Sequence, residues 1–168
     1  MSARSQEQVA VEVLNHPQTY PALEAWPERE LIFRIWRHPA LDAYTSWLLR
    51  ETNKTFYVRR LEWDRRFDCR CPQQEPTIYG SESILPTERA ILLLDKLRTI
   101  SLTPFVSTPS IGIDGVIYGV ETKGFYLKTK LSWWCSPPES WNELATWFNE
   151  AVELFNSILP DGAARMPY

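Results

Sequence analysis

Nucleophiles, general bases and metal ligands are scarce in this 168-residue chain, which has three cysteines and two histidines. Cys69 and Cys71 flank Arg70, with Arg65 and Arg66 close by. Positive charge of that kind lowers a thiol's pKa and favours thiolate chemistry, or a strained, reversible disulfide between the pair. A structural zinc site needs about four Cys or His ligands, usually in spaced pairs. Cys69, Cys71, Cys135, His16 and His38 supply no such pair, so no metal site is expected. Gly80-Ser81-Glu82-Ser83 lacks the second glycine of a nucleophile elbow, and no phosphate-cradling glycine loop occurs. Both histidines stand beside prolines, at Pro17 and Pro39, in loop-like settings that leave the commonest general base in short supply. Glu62 and Asp64 could meet distant acids, but their spacing alone assembles nothing. These residues argue against an enzyme; no catalytic residue and no cofactor is assigned.

Arg59 to Arg70 holds five arginines against Glu62, Asp64 and Asp68, with Tyr57, Trp63 and Phe67 interleaved. Aromatic and basic residues together can stack and neutralise nucleic acid. The mixed signs read instead as surface ion pairs. A net charge of −3 is also the wrong sign for a general nucleic-acid binder.

The elements that must position any site are clearest between Phe125 and Leu159. Phe125, Leu127, Thr129, Leu131 and Trp133 alternate with Tyr126, Lys128, Lys130, Ser132 and Trp134, a strand covered on one side. Ser136-Pro137-Pro138-Glu139 ends it, and the Ser136/Glu139 spacing predicts a capping box with Pro137 in the first helical turn. Trp141, Leu144, Ala145, Phe148, Ala151, Val152, Phe155, Ile158 and Leu159 then form one apolar helical stripe. The other face carries Glu139, Glu143, Glu150 and Glu153. No Lys or Arg occurs between Leu131 and Ala164, so the segment is purely acidic.

Upstream, Gln6 to Asn15 predicts a short helix with Val9, Val13 and Leu14 inward, and residues 1–29 are otherwise irregular. Strands are predicted at Glu30–Arg37, Tyr44–Glu51 and Thr55–Trp63, the last two joined by a turn at Thr52-Asn53-Lys54. Charge on both sides of Arg59, Arg60 and Glu62 reads as an edge strand or one that outruns the core. Residues 64–85 read as a long connection, the place where loops carry function. Pro86 opens a helix with Ala90, Leu93, Leu94, Leu97 and Ile100 inward; Ile91 and Leu92 widen the stripe to more than one side. Asp114-Gly115 predicts a hairpin between Ile111-Gly112-Ile113 and Val116-Ile117-Tyr118. The expected fold is α+β in a single domain. An antiparallel sheet of about five to six strands, built from meanders and hairpins, carries two main helices on one face; residues 160–168 read as a flexible tail.

No apolar run approaches the roughly 18 residues of a membrane span, nor does the N-terminus hold the apolar core of a signal peptide. An odd cysteine count forms no disulfide framework, so a reduced, cytoplasmic setting is expected. Eight tryptophans raise the expectation of an aromatic groove or interface. The first functional reading is a non-catalytic protein-binding module. Its contacts would be Trp134, which alternates away from the apolar face, with Glu143 and Glu150 turned to a partner of basic character. In size, acidity and want of a catalytic signature the chain is similar to bacterial immunity proteins, which neutralise toxins; the likeness is of type, carried by no motif. The alternative is a small-molecule or enzymatic pocket beside loop 64–85, lined by Trp63, Tyr79 and Trp133.

Overall fold

The computed structural model describes residues 5–70, 75–106, 114–123 and 128–160, with the backbone of 164–165. Its sheet contains β1 (Leu31–Pro39), β2 (Tyr44–Thr52), β3 (Thr55–Trp63), β4 (Ile78–Leu85), β5 (Val116–Thr122), β6 (Lys130–Trp134) and the two-residue β7 (Ala164–Arg165). The helices are α1 (Gln6–Asn15), α2 (Arg65–Asp68), α3 (Thr87–Thr99) and α4 (Asn142–Ile158). All pairings are antiparallel, in the order β6-β5-β1-β2-β3-β4-β7. The expected α+β class and antiparallel sheet are therefore present.

The β2–β3 turn forms as its residues demand. Asn53 and Lys54 take φ of 51° and 63°, the left-handed pair of a two-residue type I′ turn, and Thr52 faces Thr55. Other expectations change. Residues 64–85 are not one long connection: Asp64 caps α2 by accepting from the Phe67 N–H, and β4 occupies Ile78–Leu85. The Asp114-Gly115 hairpin is overturned on its described side. Val116–Tyr118 has β1 on one edge and β6 on the other, leaving no edge for a third strand; Ile111–Ile113 lie outside the described residues. The capping box at Ser136 does not form. Pro138 drives Pro137 out of helical geometry, so a 3-10 turn at Glu139–Trp141 precedes α4 and no side chain caps it.

One apolar cluster joins Phe33 and Ile35, Trp47 and Leu49, Phe56 and Val58 to Ala90, Leu93 and Leu94 of α3 and to the α4 stripe. Phe148 and Phe155 are buried, as is Trp147, whose Nε1 donates to the Leu93 carbonyl at 2.9 Å. Trp47 Nε1 reaches Asn156 Oδ1 at 3.1 Å and ties β2 to α4. Ile91 and Leu92 are exposed, so α3 buries a single side.

The alternate residues of the sheet meet the N-terminal segment. Ser5 and Gln8 close a reciprocal cap on α1, which buries Ala10 and Leu14 while Val9 and Val13 stay half-buried. Tyr20, Leu61, Trp63 and Ile78 complete that second cluster. Across this face the register lays down one row: Lys130, Glu121, Arg34, Leu48, Arg59 and Glu82, one from each of six strands. Arg34 and Arg59 are fully buried in it. Arg34 holds Glu121 and donates to the Leu14 carbonyl at 2.9 Å and Asn15 Oδ1 at 2.8 Å, satisfying the C-terminal end of α1. Arg59 holds Glu82 and donates to the carbonyls of Pro17 and Glu24. Trp26 is stacked between Arg50 and Arg59, at 4.3 and 4.1 Å from its ring centre. Arg59 is thus no mark of an edge: β3 lies between β2 and β4, and its charge is neutralised inside.

Candidate functional site

The chemistry of β6 begins with which backbone groups its neighbour uses. The Cys135 N–H donates to the Val116 carbonyl at 2.8 Å, and the Thr122 N–H to the Thr129 carbonyl at 2.9 Å. In an antiparallel ladder this turns Thr129, Leu131, Trp133 and Cys135 toward β5, and leaves the N–H and C=O of Lys130, Ser132 and Trp134 facing outward. Among the described residues no strand pairs with that outer edge.

A cavity of about 360 Å³ opens beside it, with walls that include Trp133, Trp141, Trp134, Ile117, Pro104 and Pro138. Two of those walls are fixed in place. Trp133 stacks on Tyr118 at 5.6 Å and meets Phe148 and Trp141 edge-on, at 5.6 and 6.4 Å. Trp141 Nε1 donates to the Thr103 carbonyl at 2.9 Å, holding the segment that carries Pro104 against the cavity. Trp134 is half-buried over Gly115, where a Cβ would overlap its ring, and Ile117 is 45% exposed. Among the described lining residues the side-chain polar groups, apart from the indole N–H groups, are the hydroxyls of Ser132 and Ser136. An apolar group bordered by an extended backbone is what such a surface can hold.

Trp133 and Trp134 are thus brought to one site, from opposite sides of the same strand. Trp63 and Tyr79 are elsewhere. Trp63 packs with the α1 cluster and donates from Nε1 to Asp68 at 2.6 Å. Tyr79 faces Glu62 across β3–β4, so it points to the other face from Trp63. Three strands separate Trp63 from β6 and four separate Tyr79, and Trp63, Tyr79 and Trp133 line no common pocket. Glu143, in the first turn of α4, is exposed near the cavity end of the helix. Glu150 is exposed but bonded to Lys96 at 2.7 Å. Arg89 and Lys96 of α3 flank Glu150 along a shallow groove of about 350 Å³, so the helix face that reads as purely acidic in sequence is mixed in space.

Other chemistry-bearing residues have structural employment. His16 ends α1, its Nδ1 3.0 Å from the Glu12 carbonyl. His38 stacks on Tyr44 at 4.5 Å; burial first, then Arg34 and Lys130, push it down to about 4, so it is neutral at ordinary pH. Ser81 is buried in β4 and sits on no exposed turn. Cys69 and Cys135 are exposed free thiols, while Cys71 lies outside the described residues. Among the described residues no group of three or more His, Cys, Asp or Glu could hold a metal ion. Nothing local in the sequence marks Arg34 or Glu121 as partners, and Arg59 and Glu82 read there as an edge charge and part of an incomplete nucleophile turn rather than as a buried pair. The available signal is charge in the middle of apolar strands, but Glu121 stands 87 positions from Arg34.

No family model, no curated protein and no solved structure matches the chain.

Proposed function

We propose that this chain is a non-catalytic protein-binding module of the immunity or regulatory type, and that its partner docks on the β6 edge around Trp134. The observation that carries this reading is the conjunction at one place of outward backbone groups, a rigid Trp133/Trp141 cavity and the exposed Ile117 and half-exposed Trp134. Interface energy concentrates in aromatic residues held rigid before binding. Glu143 adds an acidic rim for a partner of basic character; Glu150, engaged with Lys96, contributes less field. We take α3 and α4 as the two helices backing the sheet, with α4 reaching the cavity through Phe148 against Trp133. Exposed thiols at Cys69 and Cys135 suit a reduced, cytoplasmic setting.

A compact apolar ligand in the same cavity is the second reading, favoured by its volume of about 360 Å³, within the roughly 300–1,000 Å³ of small-molecule sites. Affinity capture on the immobilised full chain, run in parallel with Trp134→Ala, separates the two. The protein-binding reading expects a partner that, once purified, binds the wild type directly and Trp134→Ala much more weakly. A purified partner that binds both equally would remove the site, and recovery of none would remove the reading.

A further inference from the structure

Resting on that protein-binding reading, we propose that the partner presents an extended segment that adds to the sheet as a strand along β6, basic in its N-terminal half and acidic in its C-terminal half. Lys130, Ser132 and Trp134 already aim N–H and C=O outward, so an incoming strand finds a ladder with its own period. Lysines on edge strands commonly block such pairing. Here the Lys130 ammonium lies 5.4 Å from the centre of the Trp36 ring, laid over the sheet face, and Ser132 at the middle of the edge is small. Alternate side chains of the added strand would fall on the two sides of β6. The cavity reaches both sides: Trp133 lines it from one face of β6, and Trp134 with its cross-strand neighbour Ile117 from the other.

Antiparallel pairing sets the direction, and the charges along β6 then set the composition of each half. Exposed Lys128 and Lys130 stand at the start of β6, and exposed Glu139 and Glu143 follow its end. Antiparallel pairing, the more stable arrangement, places the N-terminal half of the incoming segment beside Trp134 and Glu139 and its C-terminal half beside Lys130.

The test pans a random dodecapeptide library on the immobilised full chain. Enrichment of alternating apolar peptides with acidic C-terminal halves is expected. Ser132→Pro removes an outward N–H but no β5–β6 bond, because that ladder uses the residues on either side of Ser132. It should weaken the selected peptides by about tenfold. Lys130→Glu should abolish the preference for acidic C-terminal halves. In the wild-type protein the amides of Lys130, Ser132 and Trp134 should gain exchange protection when peptide binds, a readout independent of any variant's folding. Peptides that lose affinity for Trp134→Ala but bind Ser132→Pro undiminished, without protecting those amides, overturn strand addition and leave the protein-binding reading standing. Self-association that Ser132→Pro abolishes, with no peptide enriched, overturns the proposal by assigning the edge to a second copy of this chain. No enrichment and no self-association overturn both readings.

Discussion

Arg59 Nη2 lies 2.7 Å from Glu82 Oε2, directly across the β3–β4 register, while the same guanidinium reaches the carbonyls of Pro17 and Glu24 in the N-terminal segment. One buried cation therefore joins two strands to the chain that covers them. Arg59→Leu strands those carbonyls and unpairs Glu82. Losing one member of a buried pair typically costs about 3–5 kcal/mol. Glu82 is one-third exposed and can rehydrate, so about 2–4 kcal/mol is expected here. Urea denaturation measures the loss, and amide exchange across Pro17–Trp26 should accelerate more than in α4. A variant within about 0.5 kcal/mol of wild type would contradict the assignment.

His38 gives stability a pH dependence of known sign. Its ordinary pKa is 6.5 and burial, Arg34 and Lys130 take it to about 4. Between those values the unfolded chain binds a proton that the folded chain does not, so stability falls as pH drops through that window and is flat above it. The full difference is worth roughly 3 kcal/mol. His38→Phe keeps a ring against Tyr44 without titrating, and should flatten the stability curve between pH 6.5 and 4. An unchanged slope would show that His38 is protonated in the fold.

Glu121 shifts in the same direction for a different reason. Burial would raise its carboxyl, but Lys123 and Arg34 outweigh burial and hold it below its usual 4.5. Its stabilisation is therefore complete above pH 4.5 and disappears as pH falls through the lower folded value. Glu121→Gln should be less stable than wild type at pH 7, with the gap closing in acid; guanidinium melts at the two extremes provide the comparison. A gap that persists in acid would assign the loss to packing alone.

Gly119 lies under Trp36 so closely that a Cβ there would overlap the indole. Gly119→Ala should cost about 2–3 kcal/mol by forcing the ring aside. In a Trp36→Leu background the same change should cost much less, and a double-mutant cycle isolates the coupling. Additive effects would mean that the ring has room to move.

Much of the frame is legible in residue order because its signals are local. The alternation in β3, the left-handed Asn53-Lys54 turn and the Phe148/Phe155 stripe are each decided within a few positions. The structure departs from that reading where a distant partner, or at Ser136 a neighbouring proline, prevails. Asp114-Gly115 is a good turn, yet Val116–Tyr118 is already held on both edges by β1 and β6. Ser136 and Glu139 have capping spacing, yet two prolines postpone the helix. Arg59 looks like surface until Glu82 and the Pro17 carbonyl surround it. At the site, Trp134 was readable from alternation. The cavity was not, because Trp141 and the Thr103 carbonyl that hold its far wall are 38 positions apart.

The placement of β5 beside β1 has a consequence for synthesis. β1 to β4 can zip together as they leave the ribosome, but the flank of Phe33–Pro39 stays bare until Val116–Thr122 has been made and returns to it. Every nascent chain passes through a stage in which a nine-residue, mostly buried-type strand offers its hydrogen bonds to any neighbour. A chain halted before residue 116 therefore keeps one edge of β1 open for as long as it is halted.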